Sequence, residues 1–205
     1  MKEERVSFES QGLKIEGLIR KGAGPNGVVV THPHPLYGGQ MHNNVVESMV
    51  RAYGENGYWT LRFNFRGVGR SQGVYDDGSG EQEDVKAAVA YLVQIGAGSI
   101  DLAGYSFGAW VNARCIHRLS EVNRMVMVSP PVNFMDFSSF KQCPRLRLVI
   151  GGSNDNIAPP GMIDQMLPAW NPEASFKVIK GADHFYWGKT HEIEAMINGF
   201  IGLEG

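Results

Sequence analysis

Residues 99–110 read SIDLAGYSFGAW: an apolar run, a serine between two glycines, then a second apolar segment. Ser106 stands two residues after Gly104 and two before Gly108. A linker serine needs no apolar strand leading into it, and a core serine needs no glycine on each side. Both glycines are explained if a strand over 99–104 turns sharply at Ser106 into a helix carrying Trp110, Ala113 and Ile116. Such a turn strains the serine backbone and brings chain close on both sides, so the flanking residues must lack a Cβ. The hydroxyl is then held out at the carboxyl end of the strand, over a helix N-terminus that favours negative charge. That is the placement of a nucleophile. The competing reading is a chance G-x-S-x-G in a chain with 26 glycines; the strand before it and the helix after it weigh against chance.

Outward from this junction the chain alternates. Short apolar runs recur at GVVVTHP (27–33), YWTLRFNF (58–65), RMVMVSP (124–130), RLRLVIGG (145–152) and SFKVIKG (175–181), each closed by glycine, proline or a polar turn. Runs of this kind suit strands buried on both faces of a parallel sheet. Between them, Val45, Val46, Met49, Val50 and Tyr53 share a helical face, as do Val85, Ala88, Val89 and Leu92, and finally Ile193, Met196, Ile197, Phe200 and Ile201. The start differs: RVSFES and LKIEGLIR alternate apolar and polar around a turn at Gln11-Gly12, which predicts an antiparallel hairpin at a sheet edge. The expected fold is α/β: a mostly parallel sheet of eight strands with helices on both faces, in one domain over 1–205.

Composition excludes several function classes. A formal charge of −2 on 205 residues, with no run of basic side chains, gives no general attraction to nucleic acid or anionic lipid. No apolar segment is long enough to cross a bilayer. MKEERVSFES has charges but no apolar stretch behind them, so it does not read as a secretory signal. Two cysteines, Cys115 and Cys143, make no disulfide framework. The expectation is a cytoplasmic protein acting on a small molecule, without nucleic acid, membrane or cofactor.

A serine nucleophile needs a base, and the base needs an orienting carboxylate. In a sheet of this kind they follow in the order Ser, Asp or Glu, His, at the ends of later strands. Asp155 lies in a loop after RLRLVIGG, and His184 lies just past SFKVIKG. His117 and His191 fall in helical segments. Asp183 is the immediate neighbour of His184, and neighbouring side chains usually diverge; Asp136 would serve only if the acid had moved one strand earlier. An oxyanion hole requires two N–H donors. One is the backbone N–H of Phe107, immediately after the nucleophile. The other comes from THPHPLYGGQMHNN (31–44), where Pro33 and Pro35 have no N–H and leave His34 or Leu36, with His34 preferred. A metal site from His32, His34 and His42 is the competing use of this loop, but no carboxylate or cysteine adjoins them to complete a ligand set.

These motifs resemble the α/β-hydrolase superfamily along nearly the whole chain. HPHPLYGG, MHNNVV, RFNFRGVGRSQG, GEQEDVKAAVAYL and GYSFGAWV are similar to the small, lidless bacterial hydrolases that carry H-P-x-x-x-x-G-G after the first central strand. The resemblance implies carboxylesterase-like activity, with Ser106, Asp155 and His184 as catalytic triad. The chain departs from the superfamily in having His32-Pro33 where an H-G dipeptide is usual. Thioester hydrolysis needs the same triad, and Arg66 and Arg70 are the residues that could meet a coenzyme A phosphate. A non-catalytic binding protein on this fold would be free to lose a triad member, and none is missing.

The stretch PVNFMDFSSFKQCP (131–144) is too short for a separately packed cap. Its Phe134, Met135, Phe137 and Phe140, with Phe185, Tyr186 and Trp187 after the histidine and Tyr37 in the oxyanion loop, are the candidates to line a shallow apolar pocket.

Overall fold

The computed structural model describes residues 2–203; residues 1, 204 and 205 of the expected span lie outside the described residues. The strands are β1 (Glu4–Ser10), β2 (Leu13–Arg20), β3 (Gly27–Thr31), β4 (Trp59–Phe63), β5 (Ile100–Tyr105), β6 (Val122–Val128), β7 (Leu146–Gly152) and β8 (Ser175–Ile179). The helices are α1 (Asn44–Glu55), α2 (Ser79–Gln94), α3 (Phe107–Cys115), α4 (Pro160–Trp170) and α5 (Thr190–Leu203). One sheet runs in the order β1-β2-β4-β3-β5-β6-β7-β8. Only the β1/β2 and β2/β4 pairs are antiparallel. The expected hairpin is present: Ser10 pairs with Leu13, and Gln11 and Gly12 both take left-handed φ, at 50° and 80°. Two consecutive positive φ values match the twist of a two-residue turn to that of its strands.

Strand side chains alternate between two cores. Leu61, Leu102, Met125 and Val149 pack with α2, α3 and α4; Val28, Val30, Ala103, Val126 and Ile150 pack with α1 and α5. β3, β5 and most of β6 and β7 are buried on both faces, as continuous apolar runs require. β8 departs from that reading, because Lys177 and Val178 are exposed. It is the edge strand, paired only with β7, so its apolar character covers one face. His117 also differs, lying in a 3-10 turn (Ile116–Arg118) just beyond α3.

The loops after β3, β5, β7 and β8 converge at the carboxyl end of the parallel strands. The segment between β6 and β7 carries no helix. It lies down on the α4 side, where Phe137 and Phe140 pack against Trp170 at ring distances of 5.2 and 5.7 Å. Trp110 Nε1 pins it by donating to the Asp136 carbonyl at 2.8 Å.

The β5–α3 junction is the tightest point of this arrangement. A Cβ on Gly108 would lie 2.6 Å from Thr31 Oγ1 and 2.7 Å from the Thr31 carbonyl oxygen on β3. One on Gly104 would lie 2.7 Å from the Ala109 nitrogen. Neither glycine is among the residues with positive φ, so the requirement at both is room. Gly108→Ala is expected to cost about 3 kcal/mol, because strand backbone cannot yield as a side chain can. A urea midpoint unchanged from the parent would contradict it.

Candidate active site

Ser106 occupies the cusp between β5 and α3 with φ 54° and ψ −120°, a conformation that L-residues seldom adopt. Its N–H donates to the Val128 carbonyl and its C=O accepts from Trp110, which fixes the turn from both sides. Its Oγ lies 2.9 Å from His184 Nε2. His184 Nδ1 lies 2.8 and 3.1 Å from the two carboxylate oxygens of Asp155. An ionised carboxylate only accepts, so Nδ1 carries the imidazole proton and Nε2 is free to accept from the serine. Residues from three separate loops thus form one hydrogen-bonded run.

Asp155 is buried, and burial alone would raise its carboxyl. The bonds from His184, from the Ala158 N–H and from the Ser129 hydroxyl outweigh this and hold the group below the usual carboxylate range. Oδ1 also accepts from the Ile157 N–H at 2.9 Å. The acid therefore stays charged in a largely dry place. His184 is anchored through its backbone, where the Tyr105 hydroxyl donates to its carbonyl at 2.6 Å. Burial raises that phenol well above its ordinary range, keeping it a donor.

The rival acids are occupied elsewhere. Asp183 Oδ1 accepts from the Phe185 and Tyr186 N–H groups, capping the turn that carries His184. Asp136 is exposed and bonded to the Ser138 N–H and hydroxyl.

The loop after β3, expected to supply an oxyanion donor, is held by its own histidines. The Phe65 N–H donates to His32 Nε2 at 3.0 Å, so Nδ1 bears the proton and donates to the Pro33 carbonyl at 2.7 Å. The Leu36 N–H donates to His34 Nδ1, leaving His34 Nε2–H to donate to the Tyr75 hydroxyl at 3.2 Å. Leu36 has thus spent its N–H inside the loop. The His34 N–H has no acceptor among the described residues. Phe107, first residue of α3, has no intrahelical acceptor for its own N–H. The His34 and Phe107 rings lie 4.7 Å apart, bringing these two residues side by side. His42 faces Glu47 at 3.7 Å.

The profile of the family described as serine aminopeptidase, S33, matches residues 26–147. The chain belongs to the α/β-hydrolase superfamily. An uncharacterized protein of Rickettsia prowazekii is 38% identical over 209 residues, covering 96% of this chain and 88% of that one. An α/β serine hydrolase homologue from Coxiella burnetii is 34% identical with a TM-score of 0.89, covering 97% of each chain. A serine hydrolase described as being without a lid, from Xanthomonas campestris, is 29% identical with a TM-score of 0.90, covering 97% of this chain and 93% of that one. The protein is thus a hydrolase of the α/β serine type.

Within this α/β-hydrolase the expected pocket aromatics divide. Phe137, Phe140 and Tyr186 are core residues. Leu36, Tyr37, Val74, Phe134, Phe185 and Trp187 are exposed, all in loops following β3, β4, β6 and β8. Arg66 is buried with its guanidinium on Asp84 at 2.9 Å, so it presents no charge to a ligand phosphate. Ser129 and Tyr105 carried no sequence signal, because their contacts join loops far apart in the chain.

Burial pushes the His32 imidazole down to about 4, and protonation there would break its bond from Phe65. The unfolded chain takes up this proton below pH 6.5 and the native protein does not, so stability present above 6.5 is lost as pH falls towards 4. The loss is expected to reach about 3 kcal/mol. Burial lowers His34 as well, which acts in the same direction. Urea denaturation at intervals from pH 7.5 to 4 measures it, and a flat profile across that range would refute it.

Proposed function

We propose that this hydrolase cleaves small carboxylic esters through an acyl-enzyme intermediate. The observation that carries the proposal is the contact run Ser106 Oγ–His184 Nε2 at 2.9 Å and His184 Nδ1–Asp155 Oδ2 at 2.8 Å. In this reading Ser106 Oγ attacks the ester carbonyl carbon as its proton passes to His184 Nε2. Asp155 holds the imidazole tautomer and stabilises the imidazolium ion that forms. The His34 and Phe107 N–H groups, both without acceptors, bond the developing oxyanion. Collapse breaks the C–O bond to the alcohol, whose oxygen takes the proton from His184. Water, deprotonated by the same nitrogen, then frees the acid and returns Ser106.

Two features favour esters over coenzyme A thioesters and over long-chain lipids. Of the two arginines that could meet a phosphate, Arg66 is locked in an internal ion pair, which leaves the exposed Arg70 alone and makes no cluster. The β6–β7 segment is anchored on the α4 side through Phe137 and Phe140, and in this reading an acyl group meets the exposed loop aromatics, Phe134 of that segment among them. Each buried methylene is worth about 0.8 kcal/mol, and those beyond the rim gain nothing.

The assignment is tested by fluorophosphonate labelling and p-nitrophenyl acetate hydrolysis. Ser106→Ala is expected to abolish labelling and cut turnover by about a thousandfold or more. Asp155→Asn is expected to lose a similar factor, since an amide can favour the wrong tautomer, while Asp183→Asn and Asp136→Asn stay near the parent. Ser106→Ala retaining activity within about tenfold of the parent would place the chemistry elsewhere.

Across a p-nitrophenyl ester series at one pH, kcat/KM is expected to peak at acyl chains of about two to six carbons and then level or fall. No jump in rate is expected where the substrate passes its solubility limit. Preference for long chains, or activation by an emulsion, would contradict the open site.

A further inference from the structure

The loop that ends β6 carries a second buried serine, and its surroundings are unusual. Ser129 is fully buried. Its Oγ donates to Asp155 Oδ2 at 2.7 Å and lies 2.6 Å from the Tyr186 hydroxyl. Proton counting fixes the direction of both bonds. The Asp155 carboxylate can only accept, so the single Ser129 hydroxyl proton is committed to Oδ2, and Ser129 must accept from Tyr186 O–H. Burial raises the Tyr186 phenol, which keeps that proton in place. A one-way run Tyr186→Ser129→Asp155 therefore meets His184 and Ser106 at the carboxylate.

Backbone conformation separates this run from ordinary core polarity. Among the described residues six non-glycines have positive φ, namely Gln11, Asp77, Ser106, Ser129, Gln142 and Tyr186. Three of them, Ser106 at 54°, Ser129 at 44° and Tyr186 at 55°, belong to this one hydrogen-bonded system. Glycine would hold the turn at 129 with less strain, and a left-handed aromatic is rarer still. Strain of this kind persists where the side chain so placed is needed.

We propose that Ser129, oriented by Tyr186, is a positioning residue for the Asp155–His184 pair. It holds Oδ2 on His184 Nδ1 and, by donating to the carboxylate, limits how strongly Asp155 stabilises the imidazolium. The proposal rests on the serine hydrolase reading above. Asp155 from the β7 loop, Ser106 and Tyr105 from the β5–α3 junction, and Asp183 and Tyr186 from its own loop are the titratable or hydroxyl groups around His184. Ser129 is thus the contact through which β6 reaches the pair.

The test reads fluorophosphonate labelling rate against pH for the parent, Ser129→Gly, Tyr186→Phe and Ser106→Ala. Glycine suits the left-handed turn, so Ser129→Gly is expected to fold, with a Tm lowered because Asp155 loses a donor and the Tyr186 hydroxyl its acceptor, and the loss partly offset by relief of backbone strain. It should label about tenfold more slowly, the scale of one hydrogen bond to a charged group. Its acidic limb should move up by about half a pH unit, because a carboxylate with one donor fewer favours the imidazolium more. Tyr186→Phe should shift the limb the same way by less. A merely structural role would alter Tm and leave the limb in place. Parent rate and parent pH profile in Ser129→Gly, with Ser106→Ala unlabelled, would overturn the positioning role alone. Labelling that survives in Ser106→Ala would remove the serine hydrolase reading and this inference with it.

Discussion

The left-handed turn at Ser106 must be supported by both elements it divides. β5 reaches it from the centre of the sheet with every residue buried, and α3 leaves it directly. Because the turn leaves no room, the helix start presses on β3 at Thr31 and His32, where a Cβ on Gly108 would collide. The β3 loop cannot then move independently of Ser106. That contact fixes the β3 loop, whose His34 ring lies 4.7 Å from that of Phe107, and the loop is stiffened further by two prolines and by histidine rings bonded through both nitrogens.

Electrostatics follows from the same geometry. A carboxylate buried as deeply as Asp155 remains ionised only if donors replace the water it has lost. Two backbone N–H groups, a serine hydroxyl and an imidazole N–H do so, from its own loop, from β6 and from the β8 loop. The acid is thereby tied to three strand ends, so its position relative to His184 is set by the sheet and not by one flexible loop. Preorganisation of this kind avoids reorientation when charge develops in the transition state.

Much of this was legible in the sequence because it depends on periodicity and on residues with restricted conformations. The eight strands, the hairpin turn at Gln11-Gly12 and the faces of α1 and α2 follow from apolar spacing, and the elbow follows from Gly104 and Gly108. Spacing is blind to position within the sheet, which is why β8 read as a buried strand although Val178 lies exposed at an edge. It is also blind to which aromatics fill the core: Tyr186 and Trp187 are adjacent, and one is buried while the other is exposed. Ser129 carries no motif at all. Its role depends on Asp155 and Tyr186, separated from it by 26 and 57 residues, and only the closed fold brings them together.

No helix intervenes between β6 and β7, yet Ser106 and His184 are only 7% and 6% exposed. Water is therefore largely excluded from these two side chains by their immediate neighbours. Phe107 and Tyr105 flank the serine in the chain, and the His34 ring closes over Phe107 from the β3 loop. The exposed aromatics stand further out, where they shield little but offer apolar surface to whatever approaches. The residues that shield Ser106 and His184 are thus buried or half-buried ones, separate from the exposed aromatics. Phe107 and Tyr105 belong to the core, so substitutions at Tyr37, Phe134, Phe185 or Trp187 can change the surface around the serine without disturbing the hydrogen bonds that position it.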